Sequence, residues 1–241
     1  MRAFPLRAMR FRAVLLTTAA VLTLTACSDD GGESEEAQPE DPTARLEAAA
    51  DLLDGTSGVT FALEGSDLPD SGTVILGAEG AAVPPDALEG EIRLIFSGLP
   101  TTIPVVAVDG ELYADILSSG FQQVDADTLG FSDPSALIDP ERGVSQLLRS
   151  GSDVAAAGEV RVDSEVYDQI TSTLPGDLVD QVLTITDPAA QVDATWAIDP
   201  DTGHVRQATL TGPFYDTGGE QTYTVTLSNY DEPVEISAPA G

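Results

Sequence analysis

Apolar residues recur along most of this chain in two rhythms, one helical and one alternating. Over Thr43–Asp54 (TARLEAAADLLD), Leu46, Ala49, Ala50 and Leu53 fall at helical spacing, and Gly55 is a natural stop. After it the period becomes two. Val59, Phe61 and Leu63 alternate with Thr60, Ala62 and Glu64, which predicts a half-buried strand. Thr73–Leu76 and Glu91–Phe96 read as further strands joined by a Gly/Ala/Pro-rich connection; in the second, Ile92, Leu94 and Phe96 share one face. Ile103–Val108, Asp109-Gly110 and Glu111–Ile116 predict a hairpin, because an Asp-Gly pair suits a type I′ turn.

The centre is different in character. Asp133-Pro134 and Asp139-Pro140 each place a capping residue before proline at a first helical position. They predict a short helix at Ser135–Ile138 and a longer one at Glu141–Arg149, with Val144, Leu147 and Leu148 on one side. Strands at Val154–Val162 and Val166–Leu174 and a short amphipathic helix at Gly176–Leu183 follow. A closing meander runs through Ala194–Ile198, His204–Leu210, Gln221–Ser228 and Val234–Ile236, with Asp199–Gly203 as its first turn. About ten strands, mostly in hairpin order, with a few short helices inserted, give an α+β domain on a one-sided antiparallel sheet.

The N-terminus follows neither rhythm. Met1–Arg12 carries four arginines and no acid, and Ala13–Thr25 is uncharged for 13 residues. That length suits the apolar core of a signal peptide and is short of the roughly 20 residues a spanning helix needs. Leu24-Thr25-Ala26-Cys27 is then a lipobox: residues 1–26 are read as a lipoprotein signal peptide and Cys27, the one cysteine, as the acylated anchor. Residues 27–42, with seven acids from Ser28 onward, form a self-repelling tether whose span is roughly 20 Å as a coil. Residues 43–241 form the domain. The expected location is the extracytoplasmic face of the cell membrane.

Charge narrows the partners. The chain has 10 Lys and Arg residues against 41 acids, and no lysine at all. Removing residues 1–26 leaves six arginines and all 41 acids, about −35. Such a surface cannot neutralise a row of phosphates, so nucleic acid is not an expected partner. It is also repelled by anionic headgroups, which leaves attachment to the acyl chains.

Candidate chemistry is sparse. His204 stands alone after a turn and reads as a solvent-facing strand residue, since a histidine base needs a positioned partner. Asp199-Pro200-Asp201-Thr202-Gly203 starts like a calcium loop, but its twelfth position falls on Leu210, so a turn is expected. Asp125 and Asp127 are paired acids in a chain rich in acids. No cofactor, metal or enzymatic activity is expected.

Several segments together resemble a family. Val106-Ala107-Val108-Asp109-Gly110-Glu111-Leu112-Tyr113-Ala114 is similar to the hairpin of the LppX/LprA/LprF/LprG-type lipoproteins of mycobacterial envelopes, closest to LprG-like members. Asp133-Pro134 and the run from Asp139 to Leu148 resemble its central helical segment. Ala194–Ile198, Gly203-His204 and Leu227–Val234 resemble its C-terminal meander. Leu99-Pro100, Ile103-Pro104, the abundance of alanine and the missing lysines depart from the pattern. The resemblance implies a strongly curved antiparallel half-barrel, with short helices on its concave face enclosing an apolar cavity. It also implies a protein that binds acylated lipids or glycolipids and carries them within or across the envelope, in some members beside a membrane exporter.

Alternation nominates the wall of such a cavity. Ile92, Leu94 and Phe96 form one stripe, Val106 and Val108 another, and Val144, Leu147 and Leu148 the helical side. Interiors are normally close-packed, so the same stripes fit a filled core. Two other functions therefore stand beside lipid carriage: an envelope adaptor with a packed core that recruits a protein partner, and a carboxylate-based hydrolase.

Overall fold

The first helix begins where its capping chemistry puts it. In the computed structural model, which describes residues 41–96, 98–116, 119–126, 134–216 and 218–239, the Asp41 carboxylate accepts the Thr43 N–H at 3.0 Å. Pro42 opens α1 (Pro42–Gly55), where its missing N–H removes no bond. Leu46, Ala49, Ala50 and Leu53 are buried, as the spacing predicts. The helix thus takes in the last residue expected of the tether. Cys27 and the leader lie outside the described residues.

Eleven strands follow: β1 (Val59–Ser66), β2 (Val74–Val83), β3 (Ala87–Phe96), β4 (Leu99–Val108), β5 (Glu111–Ala114), β6 (Gln122–Val124), β7 (Ser152–Val162), β8 (Glu165–Pro175), β9 (Gln191–Ile198), β10 (Val205–Gly212) and β11 (Gln221–Ser228). They form one antiparallel sheet in the order β6-β5-β4-β3-β2-β1-β11-β10-β9-β8-β7, which does not close. Two meanders meet where β1 pairs β11, with Phe61 opposite Leu227 and Leu63 opposite Val225. In β11, buried Gln221, Tyr223, Val225 and Leu227 alternate with half-buried threonines and Ser228, the pattern of a sheet with one core face. Asp109 and Gly110 both take positive φ (56° and 74°), as a type I′ turn requires.

Four expectations are corrected. The Gly/Ala-rich stretch after Leu76 is the second half of β2, not a connection; it has no apolar period, but both of its neighbours pair with it. Gly80 faces Gly90 there so closely that a Cβ on Gly80 would lie 2.2 Å from the Glu89 carbonyl oxygen. The second correction concerns β4, which starts at Leu99 and includes Pro100 and Pro104. Pro104 accepts the Asp115 N–H, so its nitrogen faces the side on which β5 has already ended and no ladder bond is lost.

Third, Asp139-Pro140 caps a turn and not a helix. The Asp139 carboxylate takes the Glu141 N–H at 2.8 Å and pairs with Arg142, and α2 (Val144–Ser150) starts only after Gly143. Fourth, Val234–Ile236 is irregular. The chain turns away after β11 because Asp231 bonds back to Gly58 and Ser57.

The other helical pieces are a short 3-10 helix, η1 (Pro134–Ile138), and α3 (Gly176–Val179), after which the chain winds on in turns to Leu183. α2 packs on α1, and Arg149 joins them by bonding Asp51 and Asp54, both at 2.7 Å. Trp196, Phe214, Tyr223 and the buried side of α1 belong to one continuous core on the inner face of the sheet. Among the described residues no helix is long and apolar enough to cross a membrane.

Candidate functional site

Cross-strand register builds one row across the inner face: Phe61 on β1, Gly80 on β2, Gly90 on β3 and Val105 on β4. The row beside it runs Leu63, Ala78, Ile92 and Ile103. The larger side chains stand at the ends of the first row, and its middle has none. A pocket lies along these rows. Its sheet wall is Phe61, Leu63, Ile75, Ala78, Leu88, Ile92, Val105 and Val225, and its facing wall is Pro134 and Leu137 of η1 with Val182 and Leu183. Among the described residues Glu91 is the one charged residue at its border. The non-atom space, mouth included, is about 610 Å³, but only about 60 Å³ admits the centre of a water-sized sphere. It is an apolar slot.

A second, wider depression adjoins it and shares Ile75 and Leu183. About 240 Å³ of it admits water-sized centres, and Thr73, Thr184, Thr186, Phe214, Tyr215, Asp216 and Tyr223 complete its lining. Ile75, at a bulge in the β2–β3 pairing, is held by a closed hydrogen-bond circuit. Its N–H donates to the Tyr215 hydroxyl at 2.9 Å, and the Tyr223 hydroxyl donates to its carbonyl at 2.7 Å. The two hydroxyls are 2.8 Å apart, so Tyr215 donates to Tyr223 and closes the ring. Burial, with Tyr215 beside it, pushes the Tyr223 hydroxyl well above the usual phenol range.

The structure separates the nominated wall residues. Ile92 lines the slot. Leu94 shares its face but is fully enclosed in the core, and Phe96, at the strand end, is 37% exposed. Val105 lines the slot, so Val106 and Val108 point to the other face of β4, where Val106 is buried opposite Glu89 and Tyr113. Val144, Leu147 and Leu148 are core residues of α2 and are not among the slot's walls. Phe61 and Leu63 were legible as an apolar stripe. Val105 was not, because residues 103–108 are apolar in both phases and alternation cannot choose between them.

The other candidates are occupied by local structure. His204 is half-buried and stacks on Tyr230, ring centres 4.2 Å apart. The Asp199 carboxylate accepts the N–H groups of Asp201 and Thr202, both at 2.9 Å, which is the expected turn. Its burial raises the carboxyl pKa, but those N–H donors outweigh it and hold the group below the usual carboxylate range. Asp125 is exposed, and Asp127 lies outside the described residues. Among the described residues no cluster of three or more His, Cys, Asp or Glu side chains could hold a metal ion.

Known proteins resemble this chain in sequence and in fold. The lipoarabinomannan carrier protein LprG of Mycolicibacterium hassiacum is 25% identical over 236 residues, covering 96% of this chain and 98% of that one. Lipoprotein LprA of Mycobacterium tuberculosis is 25% identical over 233 residues, covering 92% and 93%. The crystal structure of LprF from Mycobacterium bovis superposes with a TM-score of 0.66 at 15% identity, covering 83% of this chain and 97% of LprF. That of LppX from Mycobacterium tuberculosis gives 0.57 at 22% identity, covering 81% and 98%. The open antiparallel sheet is therefore theirs in fold. With the sequence profile of the LppX_LprAFG lipoproteins matching residues 41–236, the chain belongs to that family.

Proposed function

We propose that this lipoprotein carries acylated lipid or glycolipid in the apolar slot, held to the outer face of the cell membrane by acyl chains on Cys27. The observation that carries the reading is the slot itself: an apolar seam between sheet and η1 that the packed core leaves unfilled. The Gly80–Gly90 pair supports it. It removes side chains from the middle of the wall, and glycine at a close strand approach is one of the devices by which a sheet can be curved around a cavity. A relative named as a lipoarabinomannan carrier fits a glycolipid cargo.

The energetics suit a shuttle. Moving an acyl chain from bilayer to water costs about 0.8 kcal/mol per CH2, or about 12 kcal/mol for ~16 carbons. A dry apolar slot replaces most of that lost burial, so transfer from membrane to protein is close to balanced and reversible. The acidic tether keeps the body off the anionic surface and within reach of it, where an exporter could pass it cargo.

A chain starting at Ser28 contains every described helix and strand and lacks the cysteine. That protein, incubated with liposomes and read by native mass spectrometry, should acquire lipid in stoichiometric amounts. A folded protein that stays empty would overturn the carrier reading and leave the adaptor.

A further inference from the structure

We infer that the lipid this slot takes has a headgroup without negative charge, and that the head rests against the rim formed by Thr73, Thr184, Thr186 and Asp216. The inference rests on the carrier reading and adds its ligand class.

It comes from where the positive charge is. Beyond residue 12 the chain has six basic side chains, all arginine and all described. Four are joined to the protein's own carboxylates: Arg45 to Asp168, Arg142 to Asp139, Arg149 to Asp51 and Asp54, and Arg206 to Asp163. Arg161 donates to the Ser164 carbonyl. Arg93 is exposed on β3 between inward Ile92 and Leu94, on the face away from the slot. His204 is stacked on Tyr230 and lines neither the slot nor the rim.

Among the described residues the slot and its rim thus contain no cation; Asp216 is the charged residue at the rim, and the Glu91 side chain, like that of Arg93, lies on the outward face of β3 at the slot's border. Phosphate recognition relies on charge-assisted donors, Arg above all. An anionic head at this rim would meet a carboxylate instead, inside one Debye length, on a body with a large negative charge. Neutral heads fit. The Thr73 hydroxyl can donate to an ester or sugar oxygen, and the Thr186 oxygen (whose proton goes to the Phe214 carbonyl) and Asp216 can accept from sugar hydroxyls, while the Tyr215 and Tyr223 hydroxyls are committed to Ile75.

The test uses three lipids with identical acyl chains: a diacylglycerol, a galactosyl-diacylglycerol and a phosphatidylglycerol. Each is a minor component of phosphatidylcholine vesicles, and loading of the chain from Ser28 onward is read at equilibrium. Repulsion of the body by the membrane acts on the rate and does not enter. The two neutral lipids should load at least about tenfold better than phosphatidylglycerol, and Asp216→Lys, at an exposed loop position, should shrink that gap. Equal loading of charged and neutral lipids overturns the selectivity. An unchanged gap in Asp216→Lys overturns the placement of the head at this rim. Loading of none of the three overturns the carrier reading itself.

Discussion

Replacing Ile92 by Trp blocks the slot from its sheet wall. Ile92 is 5% exposed, stands between Ala78 and Ile103 in the cross-strand row, and lines the seam that faces Leu137 and Leu183. The change adds six heavy atoms to a space of which only about 60 Å³ admits the centre of a water-sized sphere. An indole there takes the place of about four or five acyl carbons, each worth about 0.8 kcal/mol of burial. Lipid loading should weaken by about 3–4 kcal/mol, or two to three orders of magnitude. Overpacking also destabilises a core by about 1–3 kcal/mol, so urea unfolding is measured alongside loading.

Two companion variants isolate the effect. Thr102→Trp places the same ring on the outward face of neighbouring β4 and should leave loading as it was. Ile92→Ala should cost about 2–5 kcal/mol of stability by enlarging the void, yet keep its lipid. Loading by Ile92→Trp within about threefold of the parent, with the protein folded, would refute the slot as the acyl site. A void that merely reflected imperfect packing would show the stability losses without any split in loading.

Tyr215→Phe should destabilise the domain by about 1–2 kcal/mol in urea unfolding, since the Ile75 N–H loses its acceptor and the Tyr223 oxygen its donor. The double variant with Tyr223→Phe should cost less than the sum of the two single changes. Tyr223 and Tyr230 both titrate above the usual phenol range because of burial, so the folded chain keeps protons that the unfolded chain releases. Their contribution is complete below pH ~10 and falls as pH rises beyond it, by up to about 1.4 kcal/mol per pH unit for each; urea midpoints between pH 8 and 11 measure the slope. Gly80→Ala should lower the melting temperature by several degrees. Its Cβ meets backbone atoms of β3, at 2.2 Å and 2.8 Å, which cannot rotate away; a melting temperature unchanged by the substitution would show that the strands spread at little cost.

Local signals made much of the fold legible. Leu46, Ala49, Ala50 and Leu53 placed α1, Asp109-Gly110 placed the β4–β5 hairpin, and the alternation from Gln221 to Ser228 gave β11 without error. Failures came where local chemistry is silent. Residues 77–82 are Gly and Ala apart from Glu79, so no apolar period marks them, and only the strands on either side make them β2. Pro100 argues against carrying the strand at Ile103–Val108 back to Leu99 until the end of β5 is known. The slot was harder still, because its walls are set by register between strands far apart in sequence. Phe61 and Val105 belong to one row only because Gly80 and Gly90 pair between them.

The two walls of the slot differ in what holds them, which on the carrier reading decides how a chain enters. The sheet wall is fixed, since β1, β2 and β3 are each laddered on both sides and Ile75 is clamped by two tyrosines. The facing wall is one short 3-10 helix and a turn. Leu183 is held there by its N–H to the Val179 carbonyl at 2.8 Å and by its own burial. Leu183 also stands with Ile75 between the slot and the wider polar depression. An acyl chain arriving from that rim therefore displaces Leu183 and Leu137 and leaves the strands in place. Exposing each leucine costs up to about 1.5–3 kcal/mol, so the pair is offset by about four to eight incoming methylenes, and the slot opens only against cargo long enough to refill it.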